Sequence, residues 1–138
     1  MKYLIIGASA AGVNAAKKLR ELDNSAEITI ISKDEQVYSR CMLHHFIAGE
    51  RDAQELKFVT NDFWEQYDIN WISGAEVTTV NPDKDQVKLS DNSKYNYDQL
   101  LIATGAASFF PPIENIEQGQ EVFGLRSLAD ANQIAELG

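Results

Sequence analysis

The 138-residue chain has a single cysteine, Cys41. No internal disulfide can form, and zinc clusters and paired Cys-x-x-Cys redox centres are excluded. That scarcity suits a reducing compartment, and the expected location is cytoplasmic. Positive charge is also scarce: 12 Lys and Arg stand against 21 Asp and Glu, a formal net charge of −9. General nucleic-acid binding needs a basic face and is argued against. A nucleotide is not excluded, since backbone N–H groups can hold a phosphate within an acidic protein. Histidine is limited to the adjacent pair His44 and His45. Sequence neighbours point to different sides of a helix and no acid cluster supports them, so no metal site is expected. No apolar run is long enough to span a membrane, and no membrane partner is expected. The start does not read as a signal peptide, because its apolar stretch is short and ends in a glycine turn. There are no internal repeats and no low-complexity tract.

What the chain does have is 44% hydrophobic residues, enough for one domain with a real core. Its organising stretch is Lys2 to Gly12. Tyr3 to Ile6 alternates little and reads as a strand buried on both faces, as in a parallel sheet. From Ala10 to about Leu22, Ala11, Ala15, Ala16, Leu19 and Leu22 fall on one helical face. Asp23-Asn24-Ser25 breaks that helix, and Glu27 to Ile31 reads as a second strand. Together these make a βαβ unit, which implies a right-handed crossover.

Between the first strand and the helix lies Gly7-Ala8-Ser9-Ala10-Ala11-Gly12, close to the Gly-x-Gly-x-x-Gly turn of dinucleotide sites. Such a turn gathers backbone N–H groups at a helix N-terminus, where the dipole also favours a pyrophosphate. Ser9 replaces the middle glycine. It is small enough to allow close approach and carries a hydroxyl for a phosphate. An acid is expected about 20 residues on for the ribose hydroxyls. Ser32 and Lys33 stand there, with Asp34 and Glu35 just beyond, so the ribose partner is open. The structural alternative is a tight turn that binds nothing.

Arg40 to Gly49 reads as a short helix, with Arg40 able to reach a phosphate. Cys41 would sit in its first turn, either as a thiol activated by the dipole and Arg40 or as an inert small core residue. Asp52 to Phe58 is helix or loop. Asn61 caps a short helix to Tyr67, with Phe63, Trp64 and Tyr67 inward. Ile69 to Ile72 is a third parallel strand. Glu76 to Val80, Gln86 to Leu89 and Tyr95 to Tyr97 then form an antiparallel meander. Leu100 to Ala106 reads as a buried strand beside the first, bringing Thr104-Gly105 to the ligand edge. Phe109 to Ile113 leaves the sheet as an extended segment, Val122-Phe123 is a last short strand, and Ser127 caps a helix from Leu128 to Leu137. The fold class is α/β: a Rossmann-like parallel sheet with helices and an inserted antiparallel meander.

On these residues the chain resembles the flavoprotein disulfide reductases, the pyridine nucleotide-disulfide oxidoreductases. Gly7-x-Ser9-x-x-Gly12 is similar to that family's FAD pyrophosphate turn. Tyr97-Asp98-x-Leu100-Leu101-Ile102-Ala103-Thr104-Gly105 is similar to its second signature. Phe110-Pro111-Pro112-Ile113 and Leu125-Arg126-Ser127-Leu128-x-Asp130-Ala131 resemble the crossover into its NAD domain. The stretch from Tyr38 to Glu50 looks closest to nitrite reductases, rubredoxin reductases and related NADH oxidases.

The resemblance implies that FAD is held by Gly7 to Gly12, by Ser32 and Lys33 at the adenosine ribose, by Arg40, by the Val77 backbone at the adenine, and by Ala103, Thr104 and Gly105 opposite. His45 falls where some reductases carry a lysine near the flavin. Cys41 stands where the single-cysteine branch has its redox thiol, although Met42 replaces the usual following glycine. The implied function is passage of electrons from NAD(P)H through FAD to a protein, oxygen or disulfide acceptor, with a redox partner protein among the expected partners. Residues 1–124 would be the N-terminal part of the FAD domain and 125–138 a crossover helix toward an NAD(P)-binding domain that this sequence lacks. On that reading the chain alone has no NADH-dependent turnover. The competing function is a standalone nucleotide-binding module with no redox role.

Overall fold

Lys2–Ile6 forms the first strand, β1, and its neighbours come from distant parts of the chain. β2 (Glu27–Ile31) pairs on one side and β3 (Ile69–Ile72) lies beyond it. The last strand of the chain, β7 (Gln99–Ile102), pairs on the other side of β1, giving the order β3-β2-β1-β7 with every pair parallel. The structure, a computed structural model, describes residues 1–116, 119 and 121–137. Those residues form two compact units.

The first unit spans 1–37 and 59–105. Its parallel sheet is covered on one face by α1 (Ala10–Leu22) and α3 (Phe63–Gln66). β1 shows how alternation splits the layers. Ile5 points into the helix-side core with Val13, Ala16, Ile28, Ile30 and Phe63, whereas Leu4 and Ile6 join Ile31 on the opposite face. That second face is covered by the meander β4 (Val77–Asn81), β5 (Gln86–Leu89) and β6 (Lys94–Asn96), which contributes Val87 and Leu89. Ile5, Ile28, Ile30, Ile31 and Val87 are essentially inaccessible. Each such side chain stabilises the fold by roughly 1.5–3 kcal/mol.

The β1, α1, β2 and β3 readings stand within a residue. Other details differ. The buried stripe of α1 is Gly12, Val13 and Ala16, flanked by Ala15 and Leu19, while Ala11 and Leu22 are exposed. The helix is rotated from the expected face because Gly12 lets its first turn press onto the sheet. α3 starts one residue later than expected, after Asp62 rather than Asn61, and the Asp62 side chain makes no capping bond. Residues 52–58 form no helix and hold a turn at 53–56. Val122-Phe123 forms no strand.

Two features mark the limits of this unit. β7 is an edge strand with Leu101 and Ile102 exposed, the latter at 61%. Beside it, α1, β1 and β7 enclose an apolar groove of about 320 Å³ lined by Tyr3, Ile5, Leu19, Leu22 and Leu101.

The second unit comprises 38–58 and 106–138, of which 117, 118, 120 and 138 lie outside the described residues. A short 3-10 turn over Arg40–Met42 runs into α2 (Leu43–Ile47). α4 (Leu128–Ala135) ends two residues before Leu137, earlier than expected. The core here is Tyr38, Leu43, Leu56 and Ala131. The Tyr38 hydroxyl accepts from the Arg40 guanidinium at 3.0 Å and from the Leu128 N–H at 3.1 Å, and Arg40 also donates to the Arg126 carbonyl at 2.8 Å.

α4 opens with a reciprocal capping box between Ser127 and Asp130. The Ser127 N–H donating to the Asp130 carboxylate does most to hold that carboxyl below the ordinary aspartate value, and the Arg126 N–H and the Arg40 charge act in the same direction. A lowered folded-state pKa stabilises only the ionised form. The contribution is therefore complete above about pH 3.9 and fades as pH falls through the lower folded value. An NMR titration should place the Asp130 midpoint below 3.9, and Ser127→Ala should move it upward. An unshifted midpoint in the wild type would refute the box as the cause.

Candidate dinucleotide-binding site

The carboxyl ends of β1, β2, β3 and β7 lie along one edge of the first unit, where open α/β sheets bind ligands. The turn after β1 is held from both sides. The Gly7 N–H donates to the Ile31 carbonyl and the Ala103 N–H to the Ile6 carbonyl, each at 2.8 Å. Gly7 has φ +110°, and a Cβ there would fall 2.4 Å from the Ala103 carbonyl oxygen. A Cβ on Gly12 would fall 1.9 Å from the Gly7 carbonyl oxygen. The two glycines thus let three pieces of backbone meet where no side chain fits: the turn, the first turn of α1 and the end of β7.

Ser9 is the N-cap of α1 in extended conformation, and its side chain makes no capping bond. The helix geometry leaves the first-turn N–H groups, including those of Ala10 and Ala11, without intrahelical acceptors. Ala8 is buried and Ser9 partly exposed. A thirteen-residue helix, an uncommitted cap hydroxyl and a turn cleared of side chains fit a pyrophosphate.

Opposite, Ala103 is partly buried and Thr104 and Gly105 are exposed, with Gly105 at φ +71°. Val77 begins β4 and packs with the Leu4, Ile6 and Ile31 face. Its pairing with Leu89 and the next pairing, Thr79 with Lys88, leave Thr78 as an extra residue in a β-bulge. A bulge loosens the ladder beside Val77, as a backbone contact with a base would require. Ser32 is buried and Lys33 exposed.

Arg40 and Cys41 belong to the other unit. Arg40 is engaged by Tyr38 and Arg126, as above. Cys41 sits in the three-residue 3-10 turn and is exposed, so the reading as an inert core residue fails. The His45 Nδ1 contacts the Glu50 carboxylate, and this contact holds the Glu50 carboxyl below its usual value. No cluster of three or more metal-ligating side chains occurs among the described residues. No helix there is long and apolar enough to cross a membrane. The turn at Ser73-Gly74 pins the loop after β2, and its signal in the sequence is a glycine two residues beyond a strand.

The parallel sheet, the meander and the glycine turn define an α/β nucleotide-binding protein of the Rossmann type. The chain belongs to the pyridine nucleotide-disulphide oxidoreductase family, whose pattern matches residues 1–137. That family works with FAD and NAD(P)H. The chain is 30% identical over 141 residues to the NADH oxidase of Methanocaldococcus jannaschii, an alignment covering 97% of this chain and 31% of that protein. The solved NADH:rubredoxin oxidoreductase from Clostridium acetobutylicum superposes with a TM-score of 0.86 at 29% identity, covering 98% of this chain and 35% of that one. The NAD-dependent persulfide reductase from A. fulgidus superposes at 0.87 with 30% identity, covering 99% and 27%. This chain therefore spans about a third of the length of the relatives it matches.

Proposed function

We propose that this chain is the FAD-holding part of an NAD(P)H-dependent flavin oxidoreductase that delivers electrons to a protein, oxygen or disulfide acceptor. The observation that carries this reading is the interlocked turn of Gly7, Gly12 and Ala103 at the carboxyl edge of a parallel sheet. Bound FAD would supply the exchange between two-electron hydride chemistry and the acceptor. The chain's own residues hold and orient it. The N–H groups of the turn between Gly7 and Gly12, together with Ser9, would take the pyrophosphate, the Val77 backbone would meet the adenine, and Ala103 to Gly105 would form the opposite wall. Arg40 and the exposed thiol of Cys41 are assigned to the cofactor environment on the family pattern, Cys41 as a redox thiol.

Residues 1–124 act as the FAD portion and 125–138 as a crossover helix toward an NAD(P)-binding domain. The exposed edge of β7 and the apolar groove beside it suit further protein packed there. Relatives named for rubredoxin and persulfide support a redox partner or small sulfur acceptor. The single cysteine supports a cytoplasmic setting. Alone, the chain should not oxidise NADH.

The test is the visible spectrum of the gel-filtered chain before and after excess FAD. Flavin absorbance retained by the wild type and lost in Gly7→Ala, together with no NADH oxidation, is the expected result. A thiolate charge-transfer band on reduction, absent in Cys41→Ser, would assign the thiol. A chain that takes up no FAD even when extended to the length of its relatives would sink the cofactor assignment and favour a module of another kind.

A further inference from the structure

Leu128 opens α4, and its N–H is one of the first-turn donors that a helix cannot satisfy within itself. The capping box serves other groups: the Ser127 hydroxyl takes the Asp130 N–H, and the Ala131 N–H reaches the Ser127 carbonyl. The Leu128 N–H is taken instead by the Tyr38 hydroxyl, 90 residues away in sequence. The same oxygen accepts Arg40 Nη1. One phenol oxygen thus joins the start of α4 to the Arg40–Met42 turn, and Tyr38 is buried, where water competes little for these bonds.

Arg40 closes the clasp from its own side. Its guanidinium carbon lies 5.1 Å from the centroid of the Tyr38 ring. Its Nη1 uses both hydrogens, one on the Tyr38 hydroxyl and one on the Arg126 carbonyl. The Asp130 carboxylate, held down first by the Ser127 N–H, also feels the Arg40 charge. Segments 38–42 and 126–131 are therefore joined by hydrogen bonds given from both sides, by that charge, and by the apolar packing of Tyr38 and Ala131. Cys41 stands within the first of these segments.

We propose that Tyr38 is a positioning residue: its hydroxyl fixes the Arg40 guanidinium and makes the turn that carries Cys41 and the first turn of α4 move as one body. The use of this coupling rests on the reading above, in which α4 is the crossover toward an NAD(P)-binding domain. Displacement of α4 by that domain would then reach the Cys41 turn directly. The coupling itself lies within this chain and needs no cofactor.

The experiment combines amide hydrogen exchange with a carboxyl titration, both by NMR on the isotope-labelled full chain. The Met42 N–H, bound to the Ser39 carbonyl at 3.1 Å, reports the turn, and the Ala131 N–H reports α4. Tyr38→Phe keeps the ring and removes only the hydroxyl. It should speed exchange at both amides by a similar factor, about tenfold. Arg40→Gln should raise the Asp130 midpoint, and Tyr38→Phe should raise it too, although it retains every charge. The double variant should go no further than Arg40→Gln alone, because Tyr38 acts through Arg40. Faster exchange at Ala131 with Met42 unchanged would make the hydroxyl a simple helix cap and overturn the coupling. A midpoint that either single variant leaves in place, or a double variant that adds the two shifts, would overturn the positioning of Arg40. Trp64 and Trp71 lie in the first unit, so an unchanged urea transition in their fluorescence shows that unit intact in each variant. Neither arm uses FAD, so loss of the cofactor reading leaves this result standing, and the visible spectrum tests that reading separately.

Discussion

Gly12→Ala is expected to destabilise the chain by about 3 kcal/mol or more, although alanine in an ordinary helix interior is favoured over glycine by about 1 kcal/mol. The reversal of sign comes from one contact. The added methyl would sit 1.9 Å from the Gly7 carbonyl oxygen and 3.3 Å from the Ile5 Cγ2. The first obstacle is backbone, which cannot swing aside as a side chain can. Relief requires α1 to lift from the sheet, and the lift would uncover Val13 and Ala16, which are buried against it. Urea unfolding monitored by tryptophan fluorescence gives the difference directly. A variant as stable as the wild type would show that α1 is not seated on the glycine turn, and the site geometry would fall with it.

Arg20→Ala is expected to cost about 3 kcal/mol, the second-largest effect, at a residue far from the glycine turn in kind and purpose. The Arg20 guanidinium donates to four backbone carbonyls: Tyr67 at 2.9 Å, Asp68 at 2.7 Å, Asn24 at 2.9 Å and Asp23 at 3.4 Å. These are the carbonyls where α1 and α3 end, and Asp68 is held at φ +46°. One side chain thus closes two helix ends that the polypeptide leaves open. The ion pair with the Asp68 carboxylate adds little, because that carboxylate is 93% exposed. The carbonyl bonds matter more, since the Arg20 side chain is only 11% exposed. Arg20→Lys should recover less than half of the loss, because an ammonium cannot fork to four acceptors. A loss below about 1 kcal/mol in Arg20→Ala would mean that solvent satisfies these carbonyls equally well.

Much of the fold could be read in the sequence, because its signals are local. The mostly apolar residues of β1 and β2 and the alternation in β5 each report the surroundings of their own strand. The glycine turn was legible for the same reason: Gly7 and Gly12 lie on either side of one turn. The pairing of β7 with β1 was also legible, from its small-residue ending at Ala103-Thr104-Gly105. The purpose of Arg20 was not legible, since its partners Tyr67 and Asp68 lie 47 and 48 residues away. Tyr38 was hidden likewise, with Leu128 ninety residues on. The structural task of Ser32 was not legible, since nothing in the fingerprint announces that its hydroxyl accepts the Asp34 N–H. Val122-Phe123 has the composition of a strand but forms none, and composition alone cannot supply a pairing partner.

The position of β7 beside β1 has a consequence for the order of assembly. Lys2 and Asp98, 96 residues apart, are joined where these strands meet. Closing so long a loop is entropically slow, and contacts of that separation form late in folding. On the ribosome, β1, α1 and β2 emerge first and can pair at once, whereas the strand ending in Ala103 emerges only after the whole meander. The nascent chain therefore carries Gly7 to Gly12 well before Ala103 to Gly105 exist. Any ligand that needed both walls would have to wait for the final strand, so its binding would report completed synthesis of this unit.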